Sequence, residues 1–245
     1  MIFLSDIRGS TPHRSRIIFD NIVKIDNLDK LDNPVKDDWN PPCPESDDRK
    51  GDSMVGVRQF DEQDAFEKSI TLFWRKGYAE TSMKDLAEAT GVQRGSLYNA
   101  YGGKDALFLR AFEIYAARYL EKARQALARP TLKASLNGFF EFIIGWLLEG
   151  EPARGCLSTK MVFGGEAVEP PIREAVANLL DGLEAVIRER LQQPDKAGRL
   201  ALSPDKAAQL VLTVTRGIVV LERVYASDRK RLRASADALL AVLFE

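Results

Sequence analysis

Side chains suited to gripping DNA stand close together between Thr81 and Lys104, in TSMKDLAEATGVQRGSLYNAYGGK. Recognition of a duplex divides into phosphate contacts, which position, and base-edge contacts, which specify. Arg94 offers the guanidinium fork that matches O6 and N7 of guanine in the major groove. Gln93 carries an amide that pairs with adenine, in a position that also suits a helix cap. Gly95 lets the main chain approach closely. Ser96 presents a short hydroxyl to a base or phosphate, and Asn99, about one turn on, reaches the same layer. Thr81 and Ser82 offer hydroxyls to phosphate from the start of the preceding helix. Tyr98 and Lys104 are placed as clamps on the sugar-phosphate backbone, Lys104 where helix amides also favour an anion. The competing readings are a solvated surface charge for Arg94 and Lys104, and a core aromatic for Tyr98.

These groups need two short helices held at a fixed angle. The spacing of Ala87, Gly91 and Leu97 predicts a helix-turn-helix. A small residue lets the helices approach, a glycine takes the positive φ of the turn, and an apolar residue turns the second helix's inner side to the core. The first helix starts from Thr81 or Ser82 as N-cap and ends at Thr90 and Gly91. The second covers about Gln93 to Ala100, with Val92, Leu97 and Tyr101 inward. Ahead of them, Phe66, Ile70, Phe73 and Trp74 recur at helical spacing over about Asp61 to Lys76. A long helix follows from Lys104 to about Ala128, stopped by Pro130. Further helices are expected over about Leu132 to Glu149, Gly155 to Phe163, from Pro170 onward, from Pro204 onward, and Asp228 to Phe244. No strand pattern is visible, so the fold class is all-α.

Other chemistry is poorly provided for. The one histidine, His13, lies in the Asp- and Pro-rich leading segment, and a Gly-rich phosphate loop and a metal-ligand cluster are both missing. An enzyme is therefore not expected, and no cofactor or metal is. Cys43 and Cys156 suggest no disulfide framework, which fits a reducing cytoplasm. The net charge of -1 leaves DNA binding to a local patch. No apolar run has the roughly 20 residues that span a bilayer, so no membrane partner is expected. Residues 1–53 read as a disordered tail, or as an extension ahead of a true initiator at Met54.

The run FWRKGYAETSMKDLAEATGVQRGSLYNAYGGKDALF resembles the DNA-binding domain of the tetracycline-repressor (TetR/AcrR) family of bacterial transcriptional regulators. The resemblance covers about Gln59 to Ala117. It rests on Gly77-Tyr78, Thr81-Ser82, Leu86-Ala87, Gly91-Val92, Gly95-Ser96-Leu97-Tyr98 and Lys104. Ala100 departs from it where His or Tyr is common, which puts one backbone contact in doubt. Tyr101 replaces the usual Phe, a mild change. The resemblance implies an all-α homodimer, a helix-turn-helix domain over 54–118 with its motif at 81–100, and a ligand-binding and dimerisation domain over 119–245. It also supports the clamp roles of Tyr98 and Lys104.

The expected effector pocket is walled by the helices over Leu132 to the segment after Pro170. Its candidates are Phe139, Phe142, Trp146, Cys156, Lys160, Met161 and Phe163, each of which also suits plain core. Arg154 and Lys160 flank Cys156 in sequence and would lower its pKa, making it a sensor of oxidants or electrophiles; a buried inert thiol is the competing reading. The last two helices have broad apolar faces suited to a dimer interface. The expected function is a ligand-released repressor on a near-palindromic double-stranded operator, with an unknown small-molecule effector. The alternative is a DNA-binding adaptor whose C-terminal half takes a protein partner.

Overall fold

The computed structural model describes residues 60–150, 153–162, 170–195, 199–225 and 228–244. The leading segment and the question of Met54 lie outside them. The described residues form α1 (Glu62–Lys76), α2 (Met83–Thr90), α3 (Arg94–Tyr101), α4 (Lys104–Leu127), α5 (Leu132–Leu147), α6 (Leu157–Val162), α7 (Pro170–Leu191), α8 (Pro204–Tyr225) and α9 (Arg229–Leu243). Among them the extended pairing is a single isolated bridge between Leu200 and Phe244.

The helix starts follow local chemistry. Asp61 caps α1, its Oδ1 accepting from the amides of Gln63 and Asp64 at 2.9 and 3.2 Å. Glu62 and Asp64 at that end, and Arg75 and Lys76 at the other, complement the helix dipole. Ser82 caps α2 in a capping box with Asp85, each side chain accepting from the other's amide. Gly91 closes α2 at φ 74°, a left-handed conformation that a side chain would strain. The chain thereby reverses and α3 starts across α2.

The motif is held from beneath. Leu86 and Leu97 are fully buried and Val92 nearly so. Burial of a leucine contributes about 1.5–3 kcal/mol, so these positions fix the angle between α2 and α3. Phe73 of α1 meets Phe108 of α4 edge to face at 5.0 Å, and Phe66 meets Tyr101 of α3 at 5.5 Å. The long α4 packs on α1 near its start and on α5 and α7 beyond. Helices α7, α8 and α9 pack in succession, and α9 returns to α5. At the α4–α5 crossing the backbones nearly touch. A Cβ added at Gly138 would sit 2.6 Å from the carbonyl oxygen of Ala126.

Candidate nucleic-acid interface

At the start of α3, Arg94 and Tyr98 lie one turn apart on the outer side, with the Arg94 guanidinium 5.5 Å above the Tyr98 ring. Tyr98 is 40% exposed, so it is no core aromatic. Both line an open hollow of about 420 Å³ together with Ser82, Met83 and Lys84 of the α2 start and Lys104 of α4. Three helix starts thus meet around one concavity bearing three cations, Lys84, Arg94 and Lys104, against one carboxylate, Glu80. Gln93, Gly95 and Asn99 are exposed at or along α3, and Ser96 is half-buried. Gln93 occupies the cap position but makes no side-chain capping bond, which leaves its amide available.

Thr81 requires a correction. Its side chain is 2% exposed and its hydroxyl donates to the carbonyl of Gly77 at 2.6 Å. It closes the turn between α1 and α2 and has no hydroxyl to give to a phosphate. Ser82 is exposed, but its hydroxyl is engaged with Asp85. Hydrogen bonds from Lys76 and Ser82 hold the Asp85 carboxyl far below its ordinary value. Lys104 is positioned by Tyr78, which the sequence reading quoted for the resemblance but gave no role at the site. Its Nζ donates to the main-chain oxygen of Tyr78 at 3.2 Å and lies 4.3 Å from the Tyr78 ring centre. The Tyr78 hydroxyl in turn donates to Asp105. Lys84 was also missed; its signal is a lysine in the first turn of a helix whose start faces the same hollow.

Helix α1 joins this unit to the rest. Lys160 of α6 donates from Nζ to the main-chain oxygen of Trp74 at 2.9 Å. Burial lowers the Lys160 pKa, the Arg223 charge lowers it further, and Glu222 partly offsets both. Glu222 is itself buried, which raises its carboxyl against the pull of Arg223 and Lys160.

The residues expected to wall an effector pocket divide. Phe139 and Met161 are buried, Phe139 against Phe140 at 5.8 Å, and belong to the core. Phe142 is half-buried and packs on Tyr119 at 5.3 Å. Phe163 lies outside the described residues. Trp146 does line a cleft, of about 240 Å³, but with Trp74 and Ile70 of α1 and Tyr115 and Arg118 of α4. That cleft opens where α1 crosses α4 and α5, not between α5 and α7. Cys156 is buried, its Sγ 3.0 Å from the Ser158 hydroxyl and 4.0 Å from Nη1 of Arg216. Burial pushes the thiol up, but Arg216, Ser158 and Thr159 together outweigh it and bring it below its ordinary value. Exposed apolar side chains gather on the last two helices: Val220, Val224 and Tyr225 on α8 and Val242 on α9, the last 68% exposed.

Comparison with known proteins agrees with this arrangement. Residues 66–111 match the model for bacterial regulatory proteins of the tetR family, and residues 132–238 the model for the tetracyclin repressor-like C-terminal domain. The HTH-type transcriptional repressor ComR of Escherichia coli (strain K12) is 29% identical over 136 residues, which are 55% of this chain and 63% of ComR. Among solved structures, Escherichia coli NemR in its reduced form superposes with a TM-score of 0.68, covering 74% of this chain and 96% of NemR. At 14% identity that likeness concerns the fold. A cysteine mutant of the TetR family regulator CifR, complexed with a 26-base-pair operator duplex, superposes at 0.65 with 25% identity, covering 76% of this chain and 98% of CifR. Two family models in the expected order, on an all-α frame with an exposed α3, lead to one conclusion: the chain belongs to the TetR family of bacterial transcriptional regulators.

Proposed function

We propose that this chain is a transcriptional repressor that binds a near-palindromic operator as a homodimer and is released by a small-molecule effector. The observation that carries the reading is the cationic hollow where the starts of α2, α3 and α4 meet, with Arg94 and Tyr98 exposed beside it. Arg94 reads a base, with Gln93, Ser96 and Asn99 at neighbouring positions. Tyr98 and Lys104 clamp phosphates, and Gly95 lets the backbone close on the groove. Residues 54–118 form the reading domain and 119–245 the effector and dimer domain. The likeness to CifR on its operator supports the reading. Such a protein works where the chromosome is, in the cytoplasm.

Dimerisation runs through α8 and α9, whose exposed valines and Tyr225 need cover. A two-fold dimer presents its two α3 helices about 34–36 Å apart, one turn of DNA. Effector release is a population shift toward a dimer whose helices miss that spacing. An adaptor that takes a protein partner needs an exposed apolar patch away from the dimer face. Among the described residues, the exposed large apolar side chains are those four, Leu202 just ahead of α8, and Tyr98.

The test is selection of duplexes from a random library by the full chain, followed by anisotropy titrations. A near-palindromic consensus bound by a dimer is expected. Enrichment of no consensus would refute the operator reading. Val224→Asp should convert the dimer to a monomer by light scattering and lower operator affinity at least tenfold. A dimer that persists would place the interface elsewhere.

A further inference from the structure

Two of the chain's three tryptophans, Trp74 and Trp146, face the cleft between α1, α4 and α5, with Tyr115 beside them. Its lining carries three cations, Arg118, Lys122 and Arg154, against one carboxylate, Glu67. Arg118 is paired with Glu67 at 2.9 Å, so those charges cancel. Lys122 makes no ion pair among the described residues, and its Nζ lies 5.9 Å from the Trp146 ring. Arg154 pairs with Glu149, yet its guanidinium rests 4.5 Å from Trp74 and 4.9 Å from Trp146. Its Nε is buried with no hydrogen-bond acceptor. A buried donor left unsatisfied carries an uncompensated desolvation penalty. An acceptor that reaches it recovers this.

Flat aromatic walls beside an unpaired ammonium and a guanidinium with an unused donor are the chemistry that recognises a planar anion. The volume, about 240 Å³, is below the range of about 300–1,000 Å³ typical of drug-sized ligands. One or two fused rings fit it. We propose that this cleft binds a small aromatic carboxylate, the ring against Trp74, Trp146 and Tyr115 and the carboxylate on Lys122 and Arg154. We identify this anion as the effector that loosens DNA binding. Trp74 stands near the end of α1, which packs directly on α2, so a ring inserted between α1 and α5 displaces the reading unit from its support. Only this last step rests on the repressor reading; the binding itself does not.

Naphthoate and indoleacetate are titrated into the full chain by calorimetry without DNA, alongside the neutral naphthamide and indoleacetamide. The carboxylates should bind at least about tenfold more tightly than the amides. Lys122→Gln should weaken them about fivefold and Arg154→Gln about tenfold or more. No binding by either carboxylate, equal binding of the amides, or unchanged affinity in both variants would overturn the site. The same ligands are then added to the chain on its selected operator, where wild type should release DNA and both variants should need more ligand. Carboxylates that bind but leave DNA affinity unchanged would overturn the effector role. A chain that binds no DNA at all would refute the repressor reading, while calorimetry still judges the cleft.

Discussion

Arg94→Ala isolates base reading from every other part of the interface. Arg94 is exposed and makes no ion pair among the described residues, so its removal breaks no internal bond. The cation–π contact to Tyr98 is 5.5 Å long and exposed, worth about 0.5–1 kcal/mol. Leu97 stays buried and continues to anchor α3, so folding stability should change by no more than about 1 kcal/mol. A bidentate contact to guanine supplies about 1–3 kcal/mol of discrimination, or a factor of about 5 to 150 at 1.4 kcal/mol per decade. The assay is anisotropy on the selected operator and on a panel with each position changed in turn. Wild type should lose affinity sharply when one guanine is replaced, and Arg94→Ala should be weak on the operator but indifferent to that replacement. Equal loss on every duplex, random sequence included, would show that Arg94 touches phosphate instead. An unchanged affinity would remove it from the interface.

The other predictions probe the scaffold around it. Lys104→Gln should weaken binding on all duplexes alike and reduce the salt dependence of affinity by about one counterion, read from titrations across ionic strengths. Gly138→Ala should lower the melting temperature, although alanine ordinarily stabilises a helix by about 1 kcal/mol over glycine. The added Cβ would sit 2.6 Å from a main-chain oxygen, and overpacking of this kind costs about 1–3 kcal/mol. A rise in melting temperature would contradict the close approach. Asp85 has a depressed pKa in the folded state, so its contribution is present above its ordinary value of 3.8 and is lost as pH falls through the more acidic range below it. Asp85→Asn should therefore be destabilised relative to wild type at neutral pH, with the gap closing below about pH 4 in denaturant titrations. A gap that is constant with pH would remove the carboxylate's charge from the account.

The reading motif was legible because local sequence determines it. Ala87, Gly91 and Leu97 act within one helical pair, so their spacing alone predicts the turn. The Thr81 assignment failed because Thr81 and Ser82 are equally good caps by type. The choice follows from Asp85, three residues beyond Ser82, which completes a capping box that Thr81 cannot form. The cleft was not legible. Trp74, Tyr115, Trp146 and Arg154 come from separate elements, and only tertiary packing sets them around one space. Periodicity marks Trp74 and Trp146 as inward residues of their own helices, and it does not separate Trp146 at the cleft wall from Phe139 in the core. The expectation that Arg154 and Lys160 lower the Cys156 pKa rests on sequence proximity. The cation that does so is Arg216, sixty residues on and 4.0 Å away.

The hold of Lys160 on Trp74 is made to a peptide oxygen, not to the indole. Any residue at that position presents the same acceptor. This one bond is therefore blind to side-chain identity on the head's side, unlike the packing of the Trp74 ring against Trp146 and Arg154. A gene fusion that replaces residues 54–118 with the corresponding segment of another family member keeps this bond wherever α1 ends at the same register, and loses the ring contacts wherever Trp74 is replaced. Descendants of such a chain can change the reading surface without losing this bond.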